Sequence, residues 1–316
     1  MGYGVLRQVG SICKGLGFKT SVAVLAGSHI VNTLTEDVIG PLEQDGFRVS
    51  VDIVKESNIS SVEKVAKDIE KLKPSVVLGI GGGKVIDVAK LAAFKRNVSF
   101  ISIPTALSHD GISSSRASIK GITGSTSIEV DTPTAIIGDL QIILKSPHRL
   151  TASGCGDIVA KYTAVNDWKL SHRVKGEYYG NYAANLALMS AKLVMGNAEI
   201  IKEGKEEGLR IVLEALISCG VAMCIAGSSR PCSGSEHLFS HALDIVSSKP
   251  ALHGEQCGIG SIMMAYLWRG NWKALKEKLE IIGAPTTAKE LGVDTKCIVE
   301  ALTSAHKVRS DRYTIL

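Results

Sequence analysis

Residues Ser75–Ile80 read SVVLGI, a short continuous apolar run, and Gly81-Gly82-Gly83-Lys84 follows directly. An uninterrupted run of that length and β-branched character suits a strand buried on both faces, the condition of a parallel sheet. Val85–Phe94 then carries a helical pattern, so the chain passes from strand through three glycines into helix. This unit constrains the fold strongly, because parallel neighbours require crossover connections, usually helical. The flanking chain supplies them. Ser21–Ala26 (SVAVLA) reads as another buried strand, with Gly27-Ser28 turning it toward a helix. Phe47–Val54 alternates as a strand, and Ser61–Leu72 places Val62, Val65, Ala66, Ile69 and Leu72 on one helical face. Phe100–Ile103 and Ala135–Ile137 add further strands. The alternation predicts an α/β domain with a parallel sheet over residues 1–146. Beyond Pro147 the strand signals vanish. Ile158–Leu170, Tyr179–Met195 and Leu209–Ile225 are rich in Ala and Leu at helical spacing, which predicts an all-α domain over residues 147–316. Lys145-Ser146-Pro147 marks the boundary and a helix start.

Three successive glycines let a backbone approach a diphosphate closely, and the helix that follows offers amide donors and positive dipole at its N-terminus. The spacing matches neither the GxGxxG fingerprint nor the P-loop, since Val85 follows Lys84 where a P-loop needs Ser or Thr. A tight turn with no ligand would look similar, but the strand–loop–helix context favours a phosphate site.

The 316 residues suffice for two domains. Aromatics are only 5%, so the core must rest on Ala, Val, Ile and Leu. No apolar run approaches the roughly 20 residues of a bilayer span, so no membrane insertion is expected. The opening MGYGVLRQVG lacks the pattern of a secretory signal, and Leu6 stands where a myristoylation signal needs Ser or Thr. The net charge of +5 is mixed, with no basic block interleaved with aromatics. That gives nucleic-acid binding no support and suits an anionic small molecule. Seven cysteines without a CxxC pair favour reduced thiols and a cytoplasmic location.

The helical half holds a second constellation. Asp157 lies in SGCGDIVAK, read as the start of a helix. His237 and His241 stand four apart in SEHLFSHALD and share one helical face, while His253 stands in ALHGEQCG, in a loop or at a helix start. One carboxylate and two imidazoles can form a catalytic zinc site with an open position. Spacing alone does not fix the third ligand, and histidines on helices are commonly surface or hydrogen-bonded core groups. Cys219, Cys224 and Cys232 have spacings that do not fit a zinc ribbon, so they read as inert thiols.

In order along the chain, GIGGGKVIDVAK, SIPTALSHDGISSSRASI, SGCGDIVAKYTAVNDW, AGSSRPCSGSEHLFSHALD and ALHGEQCGIG resemble the archaeal-type sn-glycerol-1-phosphate dehydrogenases. That family lies within the wider group of glycerol dehydrogenases, iron-containing alcohol dehydrogenases and dehydroquinate synthases. The likeness runs from about Gly4 to the terminal RYTIL, and five ordered motifs are far more specific than one. The resemblance implies a Rossmann-like nucleotide-binding domain, a helical metal-binding domain, and an active site with zinc in the cleft between them. The implied reaction reduces dihydroxyacetone phosphate to sn-glycerol 1-phosphate with NADH or NADPH, the first step in the backbone of archaeal ether lipids. The implied metal ligands are Asp157, His237 and His253. Gly81, Gly82, Gly83 and Asp87 match the diphosphate turn, Thr105, Ser108 and Ser114 fall at cofactor contacts, and Asp110 matches an acidic residue facing substrate.

Beside the resemblance, His241 is placed to relay a proton or to hydrogen-bond near the metal, and Glu255 to orient a ligand. Lys120, Lys161 and Arg230 lie in or beside motifs and are candidates for the substrate phosphate. Lys161 stands four after Asp157, where iron-type relatives carry a fourth ligand, a histidine, so three ligands and zinc fit better than iron. The family has a further strand before Gly4 and a helical stretch after Leu316, and their loss is expected to weaken folding or assembly into homo-oligomers. A glycerol dehydrogenase is one alternative. A dehydroquinate-synthase-like lyase is another, although Ser113-Ser114-Ser115-Arg116 stands where its VGGK-type segment belongs. A nucleotide-binding relative without catalysis is the third. Lys55-Glu56-Ser57-Asn58 offers both a cation and an acid, leaving NAD and NADP equally open.

Overall fold

The computed structural model describes residues 1–30, 35–121 and 124–316, with the side chains at 35, 120, 121 and 124–126 outside the description. Contacts divide the chain into two compact units, Met1–Ala106 with Gly111–Ser146, and Leu107–Asp110 with Pro147–Leu316.

The first unit is built on strands β1 (Ser21–Gly27), β2 (Arg48–Val54), β3 (Val76–Gly81), β4 (Ser99–Pro104), β5 (Arg116–Gly121), β6 (Gly124–Glu129) and β7 (Ala135–Ile136). Five of them form one parallel sheet in the order β2-β1-β3-β4-β7. Every residue of β3 is buried, as its unbroken apolar run requires of a strand covered on both faces. β2 sits at the sheet edge and is only partly buried, which accounts for its alternating pattern. Register aligns Val24 with Leu78, and Leu78 with Ile101. These three join Val9, Cys13 and Leu42 in one buried cluster.

The helix Ile59–Leu72 buries Val62, Val65, Ala66 and Ile69, and Asn58 caps it by accepting from the Ser61 amide. Leu72, expected on the apolar face, is exposed instead, at the last turn before Lys73 leaves the helix. The antiparallel β5–β6 hairpin was not foreseen. Its sequence is rich in Ser, Thr and Gly and shows little apolar alternation.

The second unit is helical. Its core includes Leu238, Phe239, Ala242 and Leu243 of helix Ser235–Val246, packed with Ile298, Ala301 and Ala305 of helix Thr295–Val308. The expected stretch Ile158–Leu170 is two helices, His148–Val159 and Lys161–Lys175, broken at Ala160. Asp157 therefore lies in the last turn of a helix rather than at its start, because that helix begins right after Pro147. Helix Glu206–Ala226 is long and apolar enough to cross a membrane by length and composition, contrary to the expectation that no run comes close. Half of its most apolar window is buried within the protein, and Leu209, Val212, Leu216, Cys219 and Met223 are among its buried residues, as in a core helix.

Candidate metal centre and cofactor loop

Three helices of the second unit carry Asp157, His237 and His253, and glycines let those helices meet. A Cβ on Gly156 would lie 2.3 Å from the Gly254 carbonyl oxygen, and one on Gly254 would lie 1.9 Å from that of Ser153. A Cβ on Gly260 would lie 3.0 Å from the Glu236 carbonyl oxygen. The motifs SGCGD and HGEQCGIG thus bring the backbone of helix His253–Leu267 against the helices bearing Asp157 and His237. The outcome is a group of four donor residues, Asp157, His237 and Cys257 buried and His253 half-buried, with one ligand atom of each within 4.8 Å of all the others. Tetrahedral zinc bonds of about 2.0–2.3 Å place donors roughly 3.3–3.8 Å apart, so a contraction of about 1 Å around an ion completes such a site.

Each imidazole is oriented by a partner on its far nitrogen. The Nδ1–H of His237 donates to Glu236 Oε1 at 2.8 Å, which turns Nε2 toward Asp157 Oδ1, 3.4 Å away. Glu236 is itself held by the Gly234 amide at 2.6 Å and the Thr163 hydroxyl at 2.7 Å. His253 Nδ1 lies 3.1 Å from Ser240 Oγ, whose own hydrogen goes to Gln256 Oε1 at 2.7 Å. The serine therefore accepts from Nδ1–H, leaving the His253 Nε2 lone pair available for an ion. His253 opens its helix, and Glu255 caps that first turn by accepting from the Leu252 amide at 3.2 Å while pairing with Arg149. Glu255 thus positions the helix bearing His253 rather than the imidazole itself.

The electrostatics favour a cation. Burial pushes the Asp157 carboxyl up, but Lys161, His237 and His253 outweigh it and hold the group well below its usual range. Burial likewise opposes charge on His237, yet Cys257, Asp157 and Glu236 raise it well above the usual imidazole value. A proton is held where an ion would sit. Burial, helped by His237, pushes His253 well down and leaves it neutral, the form that ligates metal. Burial and His237 also take His241 down to about 4. Its ring stacks on that of His253 at 5.9 Å, and its buried Nδ1 has no hydrogen-bond partner among the described residues.

Lys161 is fully buried and joins two carboxylates, Asp157 Oδ1 at 2.6 Å and Asp110 Oδ2 at 2.8 Å. The Asp110 amide donates to Asp157 Oδ2 at 2.7 Å, so Asp110 stands beside the metal group through both backbone and side chain. Arg230 is buried too. Its guanidinium pairs with Glu177 and donates to the Tyr313 carbonyl at 3.0 Å and to Ser171 Oγ at 3.1 Å. Neither cation presents a free donor fork, so the phosphate role expected of them finds no support in their surroundings. The Lys120 side chain lies outside the described residues.

In the first unit, β3 ends at Gly81, Gly82 is the cap, and the helix Gly83–Lys95 begins at once. The glycines serve different purposes. A Cβ on Gly81 would lie 2.7 Å from Val85 Cγ2, a packing conflict. A Cβ on Gly82 would meet nothing within 4 Å, and its φ of −76° suits any residue. The protein's own packing does not require glycine at 82, and the open space there leaves the backbone accessible to a ligand. The loop also lies at the carboxyl end of β3, where strand order reverses between β1 and β3, the usual ligand position in an open α/β sheet. The Thr105 amide donates to the Gly81 carbonyl at 3.0 Å. Asp87 is buried one turn into the helix. Ser114 is buried with its hydroxyl unpartnered among the described residues. Ser108 belongs to the second unit, where its carbonyl accepts from Ser153 Oγ at 3.1 Å.

Sequence reasoning passed over three residues. Glu236 immediately precedes His237, and Cys257 stands four after His253, the same spacing that singled out His237 and His241. Buried Lys90 donates to the carbonyls of Gly111, Ser114 and Arg116 at 2.6, 3.0 and 2.7 Å, anchoring the serine-rich segment to the loop's helix.

Comparison with known proteins gives the family. Residues 1–147 match the iron-containing alcohol dehydrogenase family. Over 316 residues the chain is 52% identical to glycerol-1-phosphate dehydrogenase [NAD(P)+] of Pyrococcus furiosus, covering 100% of this chain and 91% of the relative. The enzyme of that name from Methanothermobacter thermautotrophicus is 50% identical over 315 residues, 100% of this chain and 90% of the relative. Among solved structures, glycerol dehydrogenase from Schizosaccharomyces pombe superposes with a TM-score of 0.80 at 19% identity, covering 100% of this chain and 92% of that one. Sulfoacetaldehyde reductase from Bifidobacterium kashiwanohense, solved with NAD+, gives 0.76 at 19% identity, with 96% and 89% covered.

Proposed function

The chain belongs to the glycerol-1-phosphate dehydrogenase family, and from that premise we propose that it reduces dihydroxyacetone phosphate to sn-glycerol 1-phosphate with NADH or NADPH at a zinc centre. The observation that carries the reading is the convergence of Asp157, His237 and His253, with their ligand atoms within 4.8 Å of one another. An anionic oxygen and two neutral imidazoles form a donor set that suits zinc. A zinc ion in that group supplies Lewis acidity to a ketone oxygen, and the nicotinamide supplies the hydride.

The protein's own residues prepare this chemistry. Glu236 and Ser240 fix the two imidazoles, so the donor set is ordered in advance. Lys161 helps keep buried Asp157 ionised and pairs with Asp110 beside it. His241, neutral and with no hydrogen-bond partner for Nδ1 among the described residues, is suited to hand on the proton that the new hydroxyl needs. Gly82 leaves open space beside the helix N-terminus for the cofactor diphosphate. All seven cysteines are free, which supports the cytoplasmic location included in this reading, together with assembly as a homo-oligomer.

Turnover of dihydroxyacetone and its phosphate, with each nicotinamide cofactor, tests the assignment. We expect the phosphate ester to be preferred by at least about 100-fold in kcat/KM, as for a site built to hold that group. The product should be inert to a dehydrogenase specific for sn-glycerol 3-phosphate. Equal or better turnover of dihydroxyacetone would instead make the protein a glycerol dehydrogenase.

A further inference from the structure

We propose that the Cys257 thiolate is a fourth protein donor to the metal held by Asp157, His237 and His253, closing the site while no substrate is bound. The proposal rests on the three-ligand reading above and extends it to a residue that reading does not use. Cys257 stands four residues after His253 on one helix, so both side chains project from the same face. Its Sγ lies 3.5 Å from His253 Nε2, the nitrogen left available for an ion, and it also contacts His237. Among the described residues, this is the group of His, Cys, Asp and Glu side chains whose ligand atoms all lie within 4.8 Å of one another. His241, also four residues from a ligand, is not a member.

Position 161 cannot supply the fourth donor. Its lysine nitrogen is already committed to Asp157 and Asp110, and its positive charge opposes a metal at that spot. Cys257 is the remaining donor in the group. The step is a simple exchange, in which the sulfur–hydrogen bond of Cys257 gives way to a sulfur–metal bond and the proton passes to solvent. Nothing is oxidised or reduced.

Cobalt(II) added to the metal-stripped protein reads sulfur ligation directly. We expect visible d–d bands of bound cobalt together with a near-ultraviolet sulfur-to-cobalt charge-transfer band. Cys257→Ala should keep the d–d bands and lose the charge-transfer band, and should release about one proton fewer on binding zinc. Wild-type d–d bands without charge transfer would overturn the proposal and leave the three-ligand centre intact. So would a charge-transfer band that survives in Cys257→Ala. Absence of bound-cobalt bands in the wild type would remove the metal reading and this proposal with it. X-ray absorption of zinc-loaded wild type gives an answer that does not depend on the variant folding. One sulfur at about 2.3 Å supports the proposal, and only nitrogen and oxygen at about 2.0–2.2 Å refute it.

Discussion

His237 presents Nε2 to the metal group because Glu236 holds the proton on the other nitrogen at 2.8 Å. Carboxylate partners of this kind fix ring orientation and raise ligand basicity, and removing one typically costs 10–100-fold in metal affinity. Glu236→Gln should therefore weaken zinc binding by about 10–100-fold in a chelator competition. An unchanged zinc affinity would show that His237 needs no such support. Arg230 makes a different case. Burial raises the Glu177 carboxyl, but hydrogen bonds from Arg230 and Ser171 outweigh it and leave the group below its usual range. A depressed carboxyl contributes stability above its unfolded pKa, and that contribution is lost as pH falls through the lower, folded value. Arg230→Ala should cost about 2 kcal/mol near neutral pH, less than a fully buried pair because Glu177 is partly open to solvent. The difference from wild type should shrink on acidification, with KM for dihydroxyacetone phosphate unchanged. A raised KM at full stability would return Arg230 to the substrate site.

At the scale of elements, the turn after β3 separates two roles that its run of glycines conceals. Gly81→Ala forces a Cβ to within 2.7 Å of Val85 Cγ2 and should destabilise the fold by about 1–3 kcal/mol. Gly82→Ala meets no protein atom, so its stability should stay within about 0.5 kcal/mol of wild type. Its affinity for NADH and NADPH should fall about tenfold if a diphosphate sits against that backbone. Cofactor binding unchanged in Gly82→Ala, measured by fluorescence titration, would contradict the loop's assignment. Most elements of the sheet were legible because burial on both faces leaves an unbroken apolar run, as in β1 and β3. The β5–β6 hairpin was not, since residues such as Ser118 and Thr126 give no apolar period to follow. The break at Ala160 was equally hidden, because Asp157 and Lys161 keep the spacing of one continuous helix across it.

Over the whole molecule, the ligand residue types could be found in the sequence, but their meeting could not. Asp157 and His253 are about a hundred residues apart, and they come together because Gly156 and Gly254 remove the side chains that would hold two helices apart. Spacing arguments reach one helical turn, and helix crossings lie beyond that range. Arg230 illustrates the same limit. Its partners Glu177 and Tyr313 lie far along the chain in both directions, so a motif arginine that looked available is tied to the terminal segment. Asp167 joins that segment to the metal side, accepting from the Ile315 amide at 2.8 Å and from the Ser235 amide at 2.6 Å, beside Glu236 and His237. The central claim is that the reaction depends on a metal held by Asp157, His237 and His253. It is tested most directly by following NADH and NADPH oxidation with dihydroxyacetone phosphate before chelation, after it, and after zinc is restored. Activity should disappear with the metal and return with zinc in the wild type, and it should not return in Asp157→Asn. Full activity in protein shown by elemental analysis to be metal-free would contradict the account.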